Sequence, residues 1–212
     1  MLDKKHLRKV PLPEDLTNEE IYTALEETQA FFQFIRDKTG INLSSIMQAN
    51  NFSGMVSNVF TNKLSDASSY KFHHDQKYPD LMYKSKGIGL EVKASIKPLK
   101  GGEGHNGHSG WHIVVCYKIL DNGDIEFVHV EIADLIGYEC PNPDWKYEGS
   151  KRNSNNSQRT ETYVTTNVGT AKLRDGSVYL NPEYVEISSS LKRRRKAIQT
   201  KLSIPPSSPF KD

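Results

Sequence analysis

The chain has 212 residues, of which 25% are charged, with a formal net charge of +2 and a mean hydropathy of −0.63. This length suits one domain with a substantial core, and no apolar run approaches the roughly 18 residues of a membrane helix. The first ten residues lack the apolar core of a signal peptide, and Cys116 and Cys140 lack metal-ligand spacing, so we expect a cytoplasmic protein with reduced thiols. Because the net charge is small, any binding to DNA must depend on local basic patches.

The N-terminal part is predicted to be helical. Residues 1–13 form a basic, proline-bounded arm that we expect to be solvated, and Thr17 with Glu20 has the capping-box arrangement of a helix start. A second helical pattern covers residues 43–67, and it predicts two pieces that break near Asn50.

A short hairpin carries the residues that indicate chemistry. Leu90 to Ile96 alternates apolar and polar side chains, which predicts a strand with Glu91 and Lys93 on the face opposite the core. Residues 79–83 predict a second short strand, and a polar, glycine-ended turn would join the two. We expect this hairpin to bring Asp80 toward Glu91.

These three side chains suit metal-dependent hydrolysis of a phosphodiester bond. Two converging carboxylates favour a hard cation such as Mg2+, which takes oxygen ligands and keeps waters that a phosphate can displace. Lys93 would steady the attacking water and the charge that builds on the phosphate oxygens. We therefore predict Asp80, Glu91 and Lys93 as catalytic residues and Asp80 and Glu91 as metal ligands. The alternative is an ordinary surface hairpin in which Glu91 and Lys93 are a simple charge pair.

At these positions the chain resembles the PD-(D/E)xK nuclease superfamily, and within it the type II restriction endonucleases. The match consists of Pro79-Asp80, a ten-residue spacer and Glu91-Val92-Lys93. Other acid-x-Lys pairs occur in the chain, but only this one lies in an apolar alternating strand preceded by a turn and a Pro-Asp. The resemblance implies an α/β (α+β) fold with a restriction-endonuclease-like core, in which helices flank a mixed central β-sheet, and a Mg2+ cofactor.

The chain departs from the superfamily in one respect. Many members add an acidic residue from the helix before the first strand, whereas the predicted helix at 52–64 contains none. Asp75 is the reserve candidate if Asp80 points away from the site. The acidic residues that the first helix offers as substitutes are Glu20, Glu26 and Glu27.

A glycine-rich loop follows the motif at residues 97–110. His105, His108 and His112 have a spacing that would suit zinc on a helix, but glycines make a helix untenable here. We therefore favour a DNA-facing loop ordered on binding, whose donors to phosphates or base edges are Lys97, Lys100, His105, Asn106 and His108.

The rest of the sheet is predicted from short alternating segments. Residues 111–120 and 125–132 flank a polar turn containing Asn-Gly, which predicts a second hairpin beside the catalytic one. Residues 133–139 predict a short helical turn. Further short strands are predicted at 163–168, 171–174 and 177–180.

Two polar segments could read or grip DNA. Residues 141–162 predict either a major-groove recognition loop or a disordered loop, and the segment from Leu191 to Lys196 predicts a basic helix whose Arg193 and Arg194 contact phosphates. The alternatives for the basic helix are a nuclear-import signal or a solvated surface, and residues from Ile204 onward predict a tail. The recognition candidates of the first segment are Lys151, Arg152, Asn153, Asn155, Gln158 and Arg159.

We expect a single endonuclease domain over residues 1–212. Its parts would be a basic arm at 1–13, a helical part at 14–68, a catalytic sheet with recognition loops at 70–190, and a basic segment with a tail at 191–212. The resemblance implies a homodimer that cuts double-stranded DNA at a short, palindromic site, with no membrane partner and with a cognate DNA methyltransferase as a genetic rather than physical partner. The alternatives are a structure-selective or repair nuclease of the same fold and a non-catalytic DNA-binding module.

Overall fold

The computed structural model describes residues 2–73, 78–104, 107–149 and 162–211. Five α-helices lie within these ranges, and none of them is long and apolar enough to cross a bilayer. The helices are α1 (Asn18–Thr39), α2 (Leu43–Ile46), α3 (Ala49–Ala67), α4 (Asn167–Asp175) and α5 (Ser189–Ala197). The strands are β1 (Lys71–Phe72), β2 (Leu81–Tyr83), β3 (Ile88–Ser95), β4 (Glu103–Gly104), β5 (Gly110–Ile119), β6 (Ile125–Leu135), β7 (Trp145–Tyr147), β8 (Tyr163–Thr165) and β9 (Ser177–Leu180).

The ends of the first helix follow the sequence signals. The Thr17 hydroxyl accepts from the Glu20 amide and the Glu20 side chain accepts from the Thr17 amide, which confirms the predicted capping box. Gly40 ends α1 in the left-handed conformation that glycine adopts without strain. The predicted division of residues 43–67 into two helical pieces is confirmed, but the break lies at residues 47–48 instead of near Asn50, because α3 continues through Asn50.

A six-stranded mixed sheet forms the centre of the molecule, in the order β1-β2-β3-β5-β6-β9. β3 and β5 run parallel, and the other neighbours are antiparallel. Both predicted hairpins are present, and they lie side by side as expected. The sheet is flanked by helices, which confirms the mixed α/β architecture predicted from the sequence.

The two faces of the sheet have different partners. Leu90, Val92 and Ile113 point to a core shared with α1 and α3. The opposite face contributes Val114 and Cys116 to a second apolar cluster, which also contains residues of α4 and β7. A three-stranded sheet, ordered β4-β8-β7, lies among the elements on this second side. On this second side of β3, Glu91 is buried and Lys93 is partly exposed.

Four local predictions are wrong. Residues 171–174 belong to helix α4, whose Thr166 cap accepts from the Gly169 amide, and residues 133–135 continue β6 instead of forming a helical turn. The N-terminal arm is not free, because Leu7 pairs with Tyr179 on β9. The C-terminal tail is not free either, since Phe210 is buried in the second cluster.

Candidate active site

The two predicted metal-binding carboxylates lie on neighbouring strands. Leu81 of β2 is paired with Leu90 of β3, so Asp80 and Glu91 occupy the next position of the ladder. Asp80 Oδ2 accepts a hydrogen bond of 2.8 Å from the Val92 amide, which fixes its side chain against β3. Burial raises the pKa of Asp80, and the negative charge of Glu91 raises it further. The structure therefore brings the two carboxylates together as the sequence predicts.

Packing of the preceding residue helps to set this arrangement. Pro79 is buried over Gly89 of β3, and an ideal Cβ at Gly89 would lie 2.3 Å from Pro79 Cγ. Only glycine therefore allows the Pro79-Asp80 segment to lie this close to β3. The glycine is a feature of the site that the sequence analysis did not single out.

Lys93 completes the predicted trio. Its Nζ donates to Glu91 Oε1 at 2.6 Å, and the two side chains differ in exposure, at 33% for Lys93 and 6% for Glu91. The Glu91 carboxylate is thus buried under a cation that still reaches solvent. Such a half-buried setting weakens screening by water and strengthens the interaction between these charges.

The donor set suits a hard divalent cation. Two carboxylates held close together repel one another, and a cation between them would relieve that repulsion. Among the residues that the structure describes, no cluster of three or more His, Cys, Asp or Glu side chains is placed to hold a metal. A cation held by Asp80 and Glu91 alone would need further oxygen ligands such as water, which Mg2+ commonly keeps.

Tyr78 and His112 also border the carboxylates, although neither residue is predicted from the sequence to belong to this site. The Tyr78 hydroxyl donates to the Ser109 carbonyl oxygen at 2.7 Å, and burial followed by the charge of Glu91 raises the pKa of Tyr78. His112 lies directly beside Glu91 in the β3–β5 ladder, and it is 3% exposed. No local signal could have identified these contacts, because each depends on strand register or on chain segments far apart in sequence.

The acidic substitutes proposed from α1 have other partners. α1 packs on the sheet face opposite Glu91. There Glu20 closes the capping box, Glu26 lies against Tyr22, and Glu27 Oε2 is 3.5 Å from Lys63 Nζ. The reserve candidate Asp75 lies outside the described residues.

Part of the predicted DNA-contacting set can be located. Lys97, Lys100 and His108 are exposed, although Lys100 Nζ is 3.1 Å from Glu103 Oε2 and is partly neutralised by it. The ring of His108 is 4.6 Å from the ring of Tyr78. The predicted residues that lie outside the described ranges are His105, Asn106, Lys151, Arg152, Asn153, Asn155, Gln158 and Arg159.

The basic helix α5 divides its charges between surface and interior. Arg193 and Arg194 are exposed, as a phosphate-contacting role requires. Arg195 is instead 2% exposed, and its Nη2 is 2.7 Å from Asp175 Oδ2. The basic run is therefore only partly a surface patch.

Comparison of the chain with protein-family models, with curated proteins and with solved structures finds no significant match.

Proposed function

We propose that the protein is a Mg2+-dependent endonuclease that hydrolyses phosphodiester bonds of double-stranded DNA. The observation that carries the proposal is the convergence of Asp80, Glu91 and Lys93 on one hairpin, with the two acids adjacent and the lysine bonded to one of them. An ordinary surface charge pair would not require a second, partly buried carboxylate beside it, since burial of like charges is unfavourable.

The residues have separable roles in this reaction. Asp80 and Glu91 would hold the cation, which supplies positive charge at the scissile phosphate when it is bound. The Val92 amide keeps the Asp80 carboxylate in place. The Lys93 ammonium would orient the attacking water and stabilise the negative charge that develops on the phosphate oxygens.

Exposed basic side chains support binding of a polyanion. Lys97 lies two residues after the end of β3, and the ring of His108 lies against the ring of Tyr78. Arg193 and Arg194 present further positive charge on α5. We propose that these side chains contact DNA phosphates, whose neutralisation releases counterions and supplies sequence-independent affinity.

The resemblance to type II restriction endonucleases supports a narrower proposal. We propose that the protein acts as a homodimer at a short, palindromic sequence, because a two-fold symmetric dimer matches a two-fold symmetric site. The test is incubation of plasmid and phage DNA with the protein and Mg2+, followed by sequencing of the ends. Discrete fragments with one common terminal sequence would support a site-specific enzyme, whereas cuts only at nicks or junctions would indicate a structure-selective nuclease.

Matched controls separate catalysis from contamination and from binding. Chelation by EDTA and the variant Lys93→Met should each abolish cutting. Lys84→Ala, in the exposed turn of the same hairpin, should cut as the parent protein does. DNA that stays intact yet binds to the protein would favour a non-catalytic binding module.

A further inference from the structure

His112 has one ring nitrogen whose hydrogen bond can be assigned. Its Nδ1 lies 2.8 Å from the Gly110 carbonyl oxygen, and a carbonyl can only accept, so Nδ1 carries the proton. A neutral imidazole protonated on Nδ1 has a bare lone pair on Nε2. That atom is buried and has no hydrogen-bond partner within the described ranges. A buried acceptor without a donor is unfavourable and calls for an explanation.

Lys93 is a donor on the same sheet face as His112. The neighbour of His112 in the ladder is Glu91, so His112 shares a sheet face with Glu91 and Lys93. Burial lowers the pKa of His112 to about 4, and the positive charge of nearby Lys93 acts in the same direction. Because the ring is buried and Nε2 has no hydrogen-bond partner within the described ranges, the neutral form is favoured and the Nε2 lone pair remains free to accept.

Lys93 needs a second acceptor if the site works as proposed. Its Nζ now donates to Glu91 Oε1, the same carboxylate that would bind a cation. We propose that His112 is a positioning residue whose Nε2 accepts a hydrogen bond from the Lys93 ammonium when a divalent cation takes Glu91 Oε1. His112 then keeps Lys93 close to the scissile phosphate. This inference rests on the proposed function, because it requires a cation at Glu91.

Nuclear magnetic resonance of the 15N-labelled protein tests the inference without DNA. Mg2+ alone is titrated while the Val92 amide and the His112 ring nitrogens are observed. We expect the Nε2 signal to change from that of a bare nitrogen to that of a hydrogen-bonded one in the parent protein and not in Lys93→Met. A Val92 response without any change at Nε2 would overturn the inference alone. No response at Val92 would overturn the proposed metal site and the inference with it.

Two substitutions at position 112 test the consequence for the reaction. Asparagine can keep the donor to the Gly110 carbonyl but cannot reach Lys93, whereas glutamine places an amide oxygen near the position of Nε2. We expect single-turnover cleavage to fall about 10- to 100-fold in His112→Asn, the range typical when a hydrogen-bond partner that orients a residue of a metal site is removed, and to be largely retained in His112→Gln. Circular dichroism would verify folding. Equal rates in the two folded variants would contradict a role for the acceptor at Nε2.

Discussion

The Asp80 carboxylate is anchored to the strand that carries Glu91, since Asp80 Oδ2 accepts from the Val92 amide at 2.8 Å. Backbone pairing between β2 and β3 ends at Leu81 and Leu90. Beyond this pair, the Asp80 side chain accepts from β3 at the Val92 amide. The sheet therefore sets the separation of the two acids. The anchoring bond uses one oxygen of Asp80, which leaves the other available for a cation.

Asp80→Asn should separate charge from structure. The amide oxygen of the asparagine can still accept from the Val92 amide. Because burial disfavours the charged form of Asp80, replacing it with a neutral side chain should not lower the stability of the fold. We expect cleavage to fall by at least about 100-fold, because even supporting partners of metal ligands are worth 10- to 100-fold. Thermal unfolding and cleavage rates measured on the same preparation check both parts. A variant that cuts at the parent rate would show that Asp80 is not a ligand.

Gly89→Ala should disturb the site through packing. The added methyl group would clash with the Pro79 ring. Because overpacking of this kind typically destabilises a fold, we expect the free energy of unfolding to decrease by about 1–3 kcal/mol. Because Asp80 follows Pro79, we also expect cleavage to decrease. Urea denaturation measures the first effect. Gly54→Ala is the matched control: it lies within α3 with nothing within 4 Å of an added Cβ, so it should stabilise the protein by about 0.5–1 kcal/mol and leave cleavage unchanged.

Glu131 should make stability fall as pH rises. It is fully buried on β6, neither of its carboxylate oxygens has a hydrogen-bond partner in the part of the chain described, and burial raises its pKa to about 8. In the unfolded chain Glu131 ionises near its ordinary value of 4.5, so the folded state binds more protons between these values. Glu131 therefore contributes its full stabilisation below about pH 4.5. As the pH rises from there toward about 8, the free energy of unfolding falls by up to about 1.4 kcal/mol per pH unit.

Glu131→Gln removes this titration and should flatten the pH dependence. Urea denaturation at pH 5 and pH 8 measures it, and we expect the variant to gain stability relative to the parent protein at pH 8. The positive charge of Arg174 opposes the effect of burial on Glu131. If the variant were less stable at both pH values, Glu131 would be ionised and paired with Arg174 instead.

Two adjacent arginines of α5 should behave differently. Arg195→Ala removes the partner of Asp175, and loss of one member of a buried ion pair costs about 3–5 kcal/mol. Arg194→Ala should leave stability unchanged and reduce the salt dependence of DNA binding by about one counterion. Thermal unfolding and binding at several salt concentrations separate the two. Equal salt slopes for the parent protein and Arg194→Ala would remove Arg194 from the DNA interface.

The sequence predicted those features that local chemistry determines. Alternation placed Glu91 and Lys93 on one face of β3, and the Asn-Gly turn predicted the β5–β6 hairpin. Helix α4 was not predicted, although Thr166 and the basic residues of its last turn are ordinary helix signals. These segments are too short for the spacing of their apolar residues to distinguish a helix from a strand.

Other features depend on contacts between distant segments. His112 joins the site only because β3 and β5 run parallel in one register, which no local pattern encodes. The same holds for Phe210, whose polar, proline-rich surroundings predicted a tail although its ring fills the second cluster. Tertiary packing decided both positions.

The central claim is that Asp80, Glu91 and Lys93 form a metal-dependent phosphodiesterase site, and the most direct measurement is the single-turnover rate of plasmid cleavage by Lys93→Met. The parent protein should cut in Mg2+ and not in EDTA, and the variant should bind DNA but cut at least about 100-fold more slowly, as expected when a charge that stabilises the transition state is removed. Cleavage by the variant at the parent rate, or cleavage by the parent protein that persists in EDTA, would contradict the account.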